Sequence, residues 1–502
     1  MHQTKRIIKI IAIALLINLV FTFKVDPHTK LIQDNQGQFR IFHGVNVAYK
    51  VHPYLPPIID SFHYQNSFSD EDGARLKSWG MNIVRLTFYW EAVEPTGPGQ
   101  YNMQYINNLK RIIEICDKYD IQVVLDLHQD AASKFYCGEG MPDWAVERRE
   151  DFPAPYKLDM SYDKDGYPDM KSCLSTGFIN FYKSDAIQIA FQDLYDNARG
   201  IRDHFANMWK KIASETKKYE NVLGYEIINE PYAGHVNKDQ SLLWTGGNRN
   251  LLRLYKAVHE KIREVDDEKI IFFEGTWTDN TYGSLTKSPG GDTYNDRQMF
   301  SYHLYCSELG DPQNIFDCNY KIQSQDLIYK KQMWKMNVGG FLSEFGAISG
   351  AEGPGIETNR NILDLADSRF HSWAYWQYKY YDDYTTLARP SESEGFFDST
   401  GKVLHNKIKL LSRPYATSIC GLPLLMKFAN NRLVIKLKYD RNCGESNKVQ
   451  FYINHQYYFP EGIKLLSNCT SCQIKKVSDH YYEIDHSKEE FGQEIVHNIV
   501  SA

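Results

Sequence analysis

Eight short apolar, β-rich runs recur between Phe39 and Tyr378 with helical segments between them, and no other feature restricts the possible fold as strongly. They are Phe39–Val47, Asn82–Phe88, Gln122–Leu127, Val222–Asn229, Lys269–Gly275, Met299–Tyr305, Gly340–Glu344 and Ser372–Tyr378. Helical periodicity appears at Asp70–Trp79, Tyr101–Tyr119, Ile201–Tyr219, Asn248–Val265, Ile322–Met336, Ile356–Ser368 and Lys402–Leu411. Strands that alternate with crossover helices build a parallel sheet, and eight of them predict a closed (β/α)8 barrel, an α/β TIM barrel. After Pro414 the pattern changes to alternation, as in Arg432–Lys438, and predicts a small C-terminal antiparallel β-sandwich. The expected partition is a leader over 1–23, the barrel over 24–411 and the sandwich over 412–502, with a short linker, so that the two domains pack together.

Lys5 and Arg6 precede an apolar stretch from Ile7 to Phe23 that only Lys9 and Asn18 interrupt. This order matches a secretory signal peptide, with an uncleaved anchor as the minor reading, and predicts a secreted or lumenal, extracellular or lysosomal protein. Nine cysteines agree with an oxidising compartment. Cys137 with Cys173 and Cys306 with Cys318 would staple two long loops. Cys420, Cys443, Cys469 and Cys472 leave room for two more bridges, and Cys116 would be a buried free thiol. Cys469 and Cys472 have no second pair at zinc-like spacing, and no metal or other cofactor is expected. A formal net charge of −6 offers no basic excess for a phosphate backbone, which argues against nucleic acid. Segment Asp163–Gly166 resembles the start of a calcium loop, but Ser172 stands where the closing Glu is needed.

In a barrel of this kind the C-terminal strand ends converge on one mouth. Arg85 falls near the end of the second strand, His128 and Asp130 after the third, and Asn229 and Glu230 at the fourth. His303 and Tyr305 end the sixth, Glu344 the seventh, and Trp376 lies in the eighth. Each has a bland reading taken alone: Arg85 as a structural ion-pair partner, the histidines and Trp376 as core, Lys50 and Asp130 as solvated loop charges. Glutamates at strands four and seven are harder to dismiss, because those strands stand on opposite sides of the ring. One carboxyl can protonate a leaving oxygen while the other attacks the anomeric carbon of a glycoside.

The ordered set Val84-Arg85-Leu86, Leu127-His128, Asn229-Glu230-Pro231, His303-x-Tyr305, Ser343-Glu344-Phe345-Gly346 and Trp376 resembles glycoside hydrolase family 5 across nearly the whole barrel. Asp126–Asp130, Cys137–Trp144, Gly44-Val-Asn46 and Lys50 are similar to its endoglycoceramidase-like subgroup. The resemblance implies a retaining β-glycosidase that cleaves between the oligosaccharide and ceramide of glycosphingolipids. Glu230 would be the acid/base and Glu344 the nucleophile. Substrate binding is expected of Lys50, Arg85, His128, Asp130, Asn229, His303, Tyr305 and Trp376. The ionised Glu344 would disfavour a second charge on Glu230, and Arg85 would hold Glu344 ionised. A monomer meeting a membrane or micelle surface is expected. Open alternatives are a glucosylceramidase, another β-glucosidase or an endoglucanase, and a glycan-binding barrel without catalysis. The Pro231–Asn248 loop with Trp244 is a candidate wall for an aglycone groove.

Overall fold

The structure, a computed structural model, describes residues 22–153, 160–176, 178–306, 314–350, 352–380, 383 and 394–502. Residues 1–21, which hold almost all of the expected leader, lie outside this set. Among the described residues no helix is long and apolar enough to cross a membrane.

Eight parallel strands close into a barrel: β1 (His43–Val47), β2 (Ile83–Phe88), β3 (Gln122–Leu127), β4 (Val222–Glu226), β5 (Ile270–Phe273), β6 (Gln298–Leu304), β7 (Gly339–Phe345) and β8 (Trp373–Tyr375). Neighbours in the chain are neighbours in the ring, and β8 closes onto β1. β1 and β2 approach so closely that a Cβ on Gly44 would sit 1.8 Å from the Ile83 carbonyl oxygen, so only glycine fits there. The strand interior changes character with height. Ile83, Val124, Phe272 and Phe341 belong to an apolar layer at the N-terminal end. Two residues further on, hence on the same face of each strand, stand Arg85, Asp126, Glu274 and Ser343, all buried.

The C-terminal strands form two antiparallel sheets that share one apolar core, including Ile419, Met426, Ile435, Phe451 and Ile484. The expected first barrel run, Phe39–Val47, is divided between two sheets. Phe39–Arg40 pairs antiparallel with Tyr415–Ile419 of the sandwich, and only His43–Val47 enters the barrel. Phe23–Val25 and Ile32–Asp34 extend that same sandwich sheet. Phe23, Val25, Ile32 and Phe42 also pack under the barrel floor, where the Val25 amide donates to the Asp296 carbonyl at 2.9 Å. Residues 23–40 thus belong to the sheet of the last ninety residues while plugging the base of the barrel, an arrangement at odds with a boundary drawn at 412 alone. Phe23, assigned above to the leader, is a buried strand residue.

The sandwich is bound to the barrel by buried contacts. The Tyr415 hydroxyl donates to the Gly80 carbonyl at 2.8 Å and the Tyr452 hydroxyl to that of Ser78 at 2.7 Å, while Arg413 pairs with Asp364 and Asp367. Disulfides join Cys137 to Cys173, Cys306 to Cys318, Cys420 to Cys443 and Cys469 to Cys472, and Cys116 is a buried free thiol. The first two tether the loops that follow β3 and β6 at the barrel mouth.

Candidate active site

The site is organised around one cation. Arg85 is fully buried on β2, and every nitrogen of its guanidinium faces an acceptor. Nε lies 2.6 Å from Glu226 Oε2; Nη1 lies 2.6 Å from Glu344 Oε1 and 2.9 Å from Asn46 Oδ1; Nη2 lies 2.9 Å from Asn229 Oδ1 and 3.1 Å from Asp126 Oδ1. Glu274 Oε1 is 3.5 Å from the same Nη2. Burial opposes the charge of Arg85, but Asp126, Glu226, Glu344 and Glu274 outweigh it and hold the group ionised. Breaking such a buried network leaves carboxylates without a counter-charge, which costs about 3–5 kcal/mol. Arg85→Met is therefore expected to lower the unfolding free energy by that amount in a denaturant titration. A loss below about 1 kcal/mol would mean that the carboxyls neutralise themselves by taking up protons.

Both oxygens of Glu344 are held, Oε1 by Arg85 and Oε2 by the Tyr305 hydroxyl, which donates at 3.0 Å. Glu230 lies beyond the end of β4, which stops at Glu226 and not at Asn229 as its sequence suggests. Its backbone φ of 38° is left-handed, unusual for a non-glycine residue and more so ahead of a proline. The Glu230 amide donates to Glu274 Oε2 at 3.2 Å, so a buried carboxyl pins this strained turn. Glu230 Oε1 is 2.7 Å from His303 Nδ1, and that nitrogen is 3.5 Å from Glu344 Oε2. An oxygen of Glu230 and one of Glu344 lie within 4.8 Å of each other. Carboxyls about 5 Å apart are the arrangement in which one attacks an anomeric carbon while the other protonates the departing oxygen.

Glu274, like Glu226, is a member that the sequence reading missed. It immediately follows β5 and contacts the other nitrogen of His303, with Nε2 3.3 Å from Oε1. Burial pushes its carboxyl up to about 8, against the opposing pull of His303 and Arg85. Burial also disfavours the charged form of His303, yet Glu274 and Glu344 outweigh it, and the imidazole holds its proton well above the usual histidine range. Removing one acid from this cluster makes the remaining shared protons easier to lose. Glu274→Gln is thus expected to move the alkaline limb of the kcat/KM profile about one unit toward lower pH. An unmoved limb with a uniformly lower kcat/KM would reduce Glu274 to a packing role.

On the other side of the cavity the Lys50 ammonium pairs with the Asp130 carboxylate, 3.8 Å from Glu139 Oε1 and 4.8 Å from the Trp376 ring centroid. Burial opposes ionisation of Asp130, but Lys50 and His128 hold its carboxyl below the usual range. His128 bonds Asp126 through Nδ1 at 2.8 Å and stacks on Trp376 with ring centroids 5.2 Å apart. Lys50, His128, Asp130, Asn229, Glu230, His303, Tyr305, Glu344 and Trp376 all line one cavity of about 400 Å³. Arg85 lies behind that wall, beneath Glu344. Trp244 does not line the cavity. It is exposed and stands edge-on to Tyr282, which does, so the wall expected from the Pro231–Asn248 loop is made instead by Trp277 and Tyr282 after β5.

The sequence shows no metal-ligand spacing, yet folding draws Glu230, His303 and Glu344 together, as it does Glu226, Glu274 and His303, densely enough to ligate a cation. Arg85 already supplies the positive charge at the centre of the second group.

A model of the cellulase family, glycosyl hydrolase family 5, matches residues 58–382. An endoglycoceramidase of Cyanea nozakii is 33% identical over 449 residues, covering 87% of this chain and 85% of its own. The chain belongs to glycosyl hydrolase family 5. A second family relative, an endoglycoceramidase of Hydra vulgaris, is also 33% identical, over 88% of this chain and 82% of its own. Among solved structures, endo-glycoceramidase II from Rhodococcus sp. superposes with a TM-score of 0.74 at 18% identity, covering 94% of this chain and 99% of that one. The barrel-plus-sandwich architecture is therefore shared with that enzyme, and the chain is a glycoside hydrolase of family 5.

Proposed function

We propose that this glycoside hydrolase is a retaining endoglycoceramidase that cleaves the β-linkage between the oligosaccharide and the ceramide of glycosphingolipids. The observation that carries the reading is the pair of carboxyls within 4.8 Å, one clamped by Arg85 and Tyr305 and the other bonded to His303. Glu344 attacks the anomeric carbon while Glu230 gives its proton to the departing oxygen, so ceramide leaves as a neutral alcohol. Once Glu344 is an ester its charge is gone. Glu230, now ionised, takes a proton from water as that water attacks, and the sugar departs with its configuration retained. Asn229, which lines the cavity, is assigned to the sugar 2-hydroxyl in this reading, a contact that would strengthen as positive charge develops on the ring.

The line from β4 to β7 divides the mouth. One side carries Lys50, His128, Asp130 and Trp376, donors, acceptors and a stacking face for a glycan. The other carries Trp277, Tyr282 and Tyr329, which suit the lipid aglycone. The named activity of the Cyanea and Hydra relatives supports the glycosphingolipid reading. A family neighbour in substrate, a glucosylceramidase of Rhizopus delemar, is 28% identical over 41% of this chain, and cleavage of a single glucose is the second reading. The charged leader-like N-terminus and four disulfides support a secreted or lumenal protein; the lipid-linked substrate is the reason to place its action at a membrane or micelle surface, there as a monomer.

Incubation with GM1, lactosylceramide, glucosylceramide and a soluble glucan, with products weighed by mass spectrometry, tests the proposal. Intact oligosaccharide plus intact ceramide is expected from the first two. Glucose from glucosylceramide alone would favour the second reading, and action on the glucan alone would remove both.

A further inference from the structure

The helix Ile315–Met336, which joins β6 to β7, presents two apolar faces where a surface helix of a globular protein presents one. Its inner face buries Ile322, Tyr329 and Met333, and Lys321, Gln325 and Tyr329 line the catalytic cavity. Phe316, Tyr320, Leu327 and Trp334 follow at intervals of four, seven and seven residues, which at 3.6 residues per turn confines them to a stripe about 40° wide on the far side of the helix. All four face solvent: Phe316 and Trp334 are each 81% exposed, Tyr320 74% and Leu327 65%.

Lysines dominate the exposed charge beside this stripe, with Asp317 the acidic neighbour at its Phe316 end. Lys330 lies on one flank and Lys331 and Lys335 on the other; all three are exposed, and none forms an ion pair with another described residue. Of the acidic side chains of the helix, Asp326 pairs with Arg369, while Asp317 accepts from the Asn314 amide in the first turn. The stripe also reaches the mouth. Its Phe316 end follows β6 at the C-terminal side of the barrel, and segment Asp279–Tyr282, which packs on this helix, carries the exposed Tyr282 with its ring partner Trp244.

We propose that this face seats the protein on a lipid surface with anionic headgroups, the rings and Leu327 entering the boundary between headgroups and acyl chains while the lysines meet the headgroups. Aromatic and aliphatic side chains with a lysine border are the composition that such an interface selects, and the lysine stems can lie along it with their ammonium groups in water. Docking here brings the cavity wall formed by the same helix to the membrane, where a lipid-linked glycan is presented; in this respect the inference rests on the glycosphingolipid reading above.

The test uses the full chain, a Phe316→Ser, Trp334→Ser double variant and a Lys330→Gln, Lys331→Gln, Lys335→Gln triple variant. All the altered side chains are exposed and outside the cavity, so native melting temperatures are expected. The parent should co-sediment with phosphatidylcholine–phosphatidylserine vesicles. Each buried ring contributes about tenfold or more to partitioning, so the double variant should bind about a hundredfold more weakly and cleave vesicle-embedded lactosylceramide correspondingly more slowly. Hydrolysis of a soluble aryl β-lactoside should stay within about twofold. The triple variant should lose its preference for vesicles containing phosphatidylserine over phosphatidylcholine alone. Vesicle binding unchanged in the double variant would overturn the proposal, as would light scattering showing a parent dimer that the double variant splits. A parent that binds vesicles through these residues yet cleaves no glycosphingolipid, even in detergent, would leave the docking face standing and remove the substrate reading.

Discussion

Glu344→Gln is expected to lower kcat by at least about 10⁴-fold on every β-glycoside the protein accepts, with little change in KM or melting temperature. The amide keeps the shape of the side chain, its oxygen can still accept from Arg85 and its NH2 can donate to the Tyr305 oxygen, but it has no anionic oxygen with which to form the glycosyl ester. Stability should hold, because Arg85 retains Asp126, Glu226 and Glu274 as neighbours. The direct measurement is the mass of the intermediate: a slow fluorosugar substrate should label the parent on the peptide that contains Glu344 and leave the variant unlabelled. A label on any other residue, or activity within about tenfold of the parent, would remove the assignment.

Glu230→Ala should split the two chemical steps by their different needs for a proton. The primary alcohol of ceramide leaves poorly without protonation, so turnover of a glycosphingolipid should fall by about 10³-fold or more. A dinitrophenyl glycoside leaves without help; its first step should remain within about tenfold of the parent, and the ester should then accumulate because no base activates water. Azide needs no base, and is expected to restore turnover while yielding a β-glycosyl azide. The same loss for good and poor leaving groups, with no response to azide, would move the acid/base role to another residue, with His303 the first to examine.

Much of the barrel could be read in advance because each strand carries its own apolar run, and the glutamates of strands four and seven stand out as charges at the ends of such runs. Glu226, Glu274 and Asp126 were harder to see as partners of Arg85, although a signal exists. Each lies two residues after an interior residue of the floor, so period-two counting from Gly224, Phe272 and Val124 directs their side chains into the barrel. What no local pattern contains is that three carboxyls and Glu344 would meet one guanidinium, since that depends on ring closure. The split of Phe39–Val47 was invisible for a related reason. Its two halves run on as one mixed apolar and polar segment with no turn residue marking the break, and the partner of the first half, Tyr415–Ile419, is nearly four hundred residues away. The strands Phe23–Val25 and Ile32–Asp34 are too short to show a period at all.

The pairing of Phe39 with Ile419 also sets an order of events during synthesis. At about 5–20 residues per second, the ribosome needs roughly 20–80 s after making the first of these residues before it makes the second. Over that interval the segment that will cover the barrel base has its apolar side chains in place but no sheet to join. The nascent chain therefore finishes its first-made end last, and anything that delays the C-terminal strands prolongs the exposure of Phe23, Val25 and Ile32 to chaperones and to other unfinished chains.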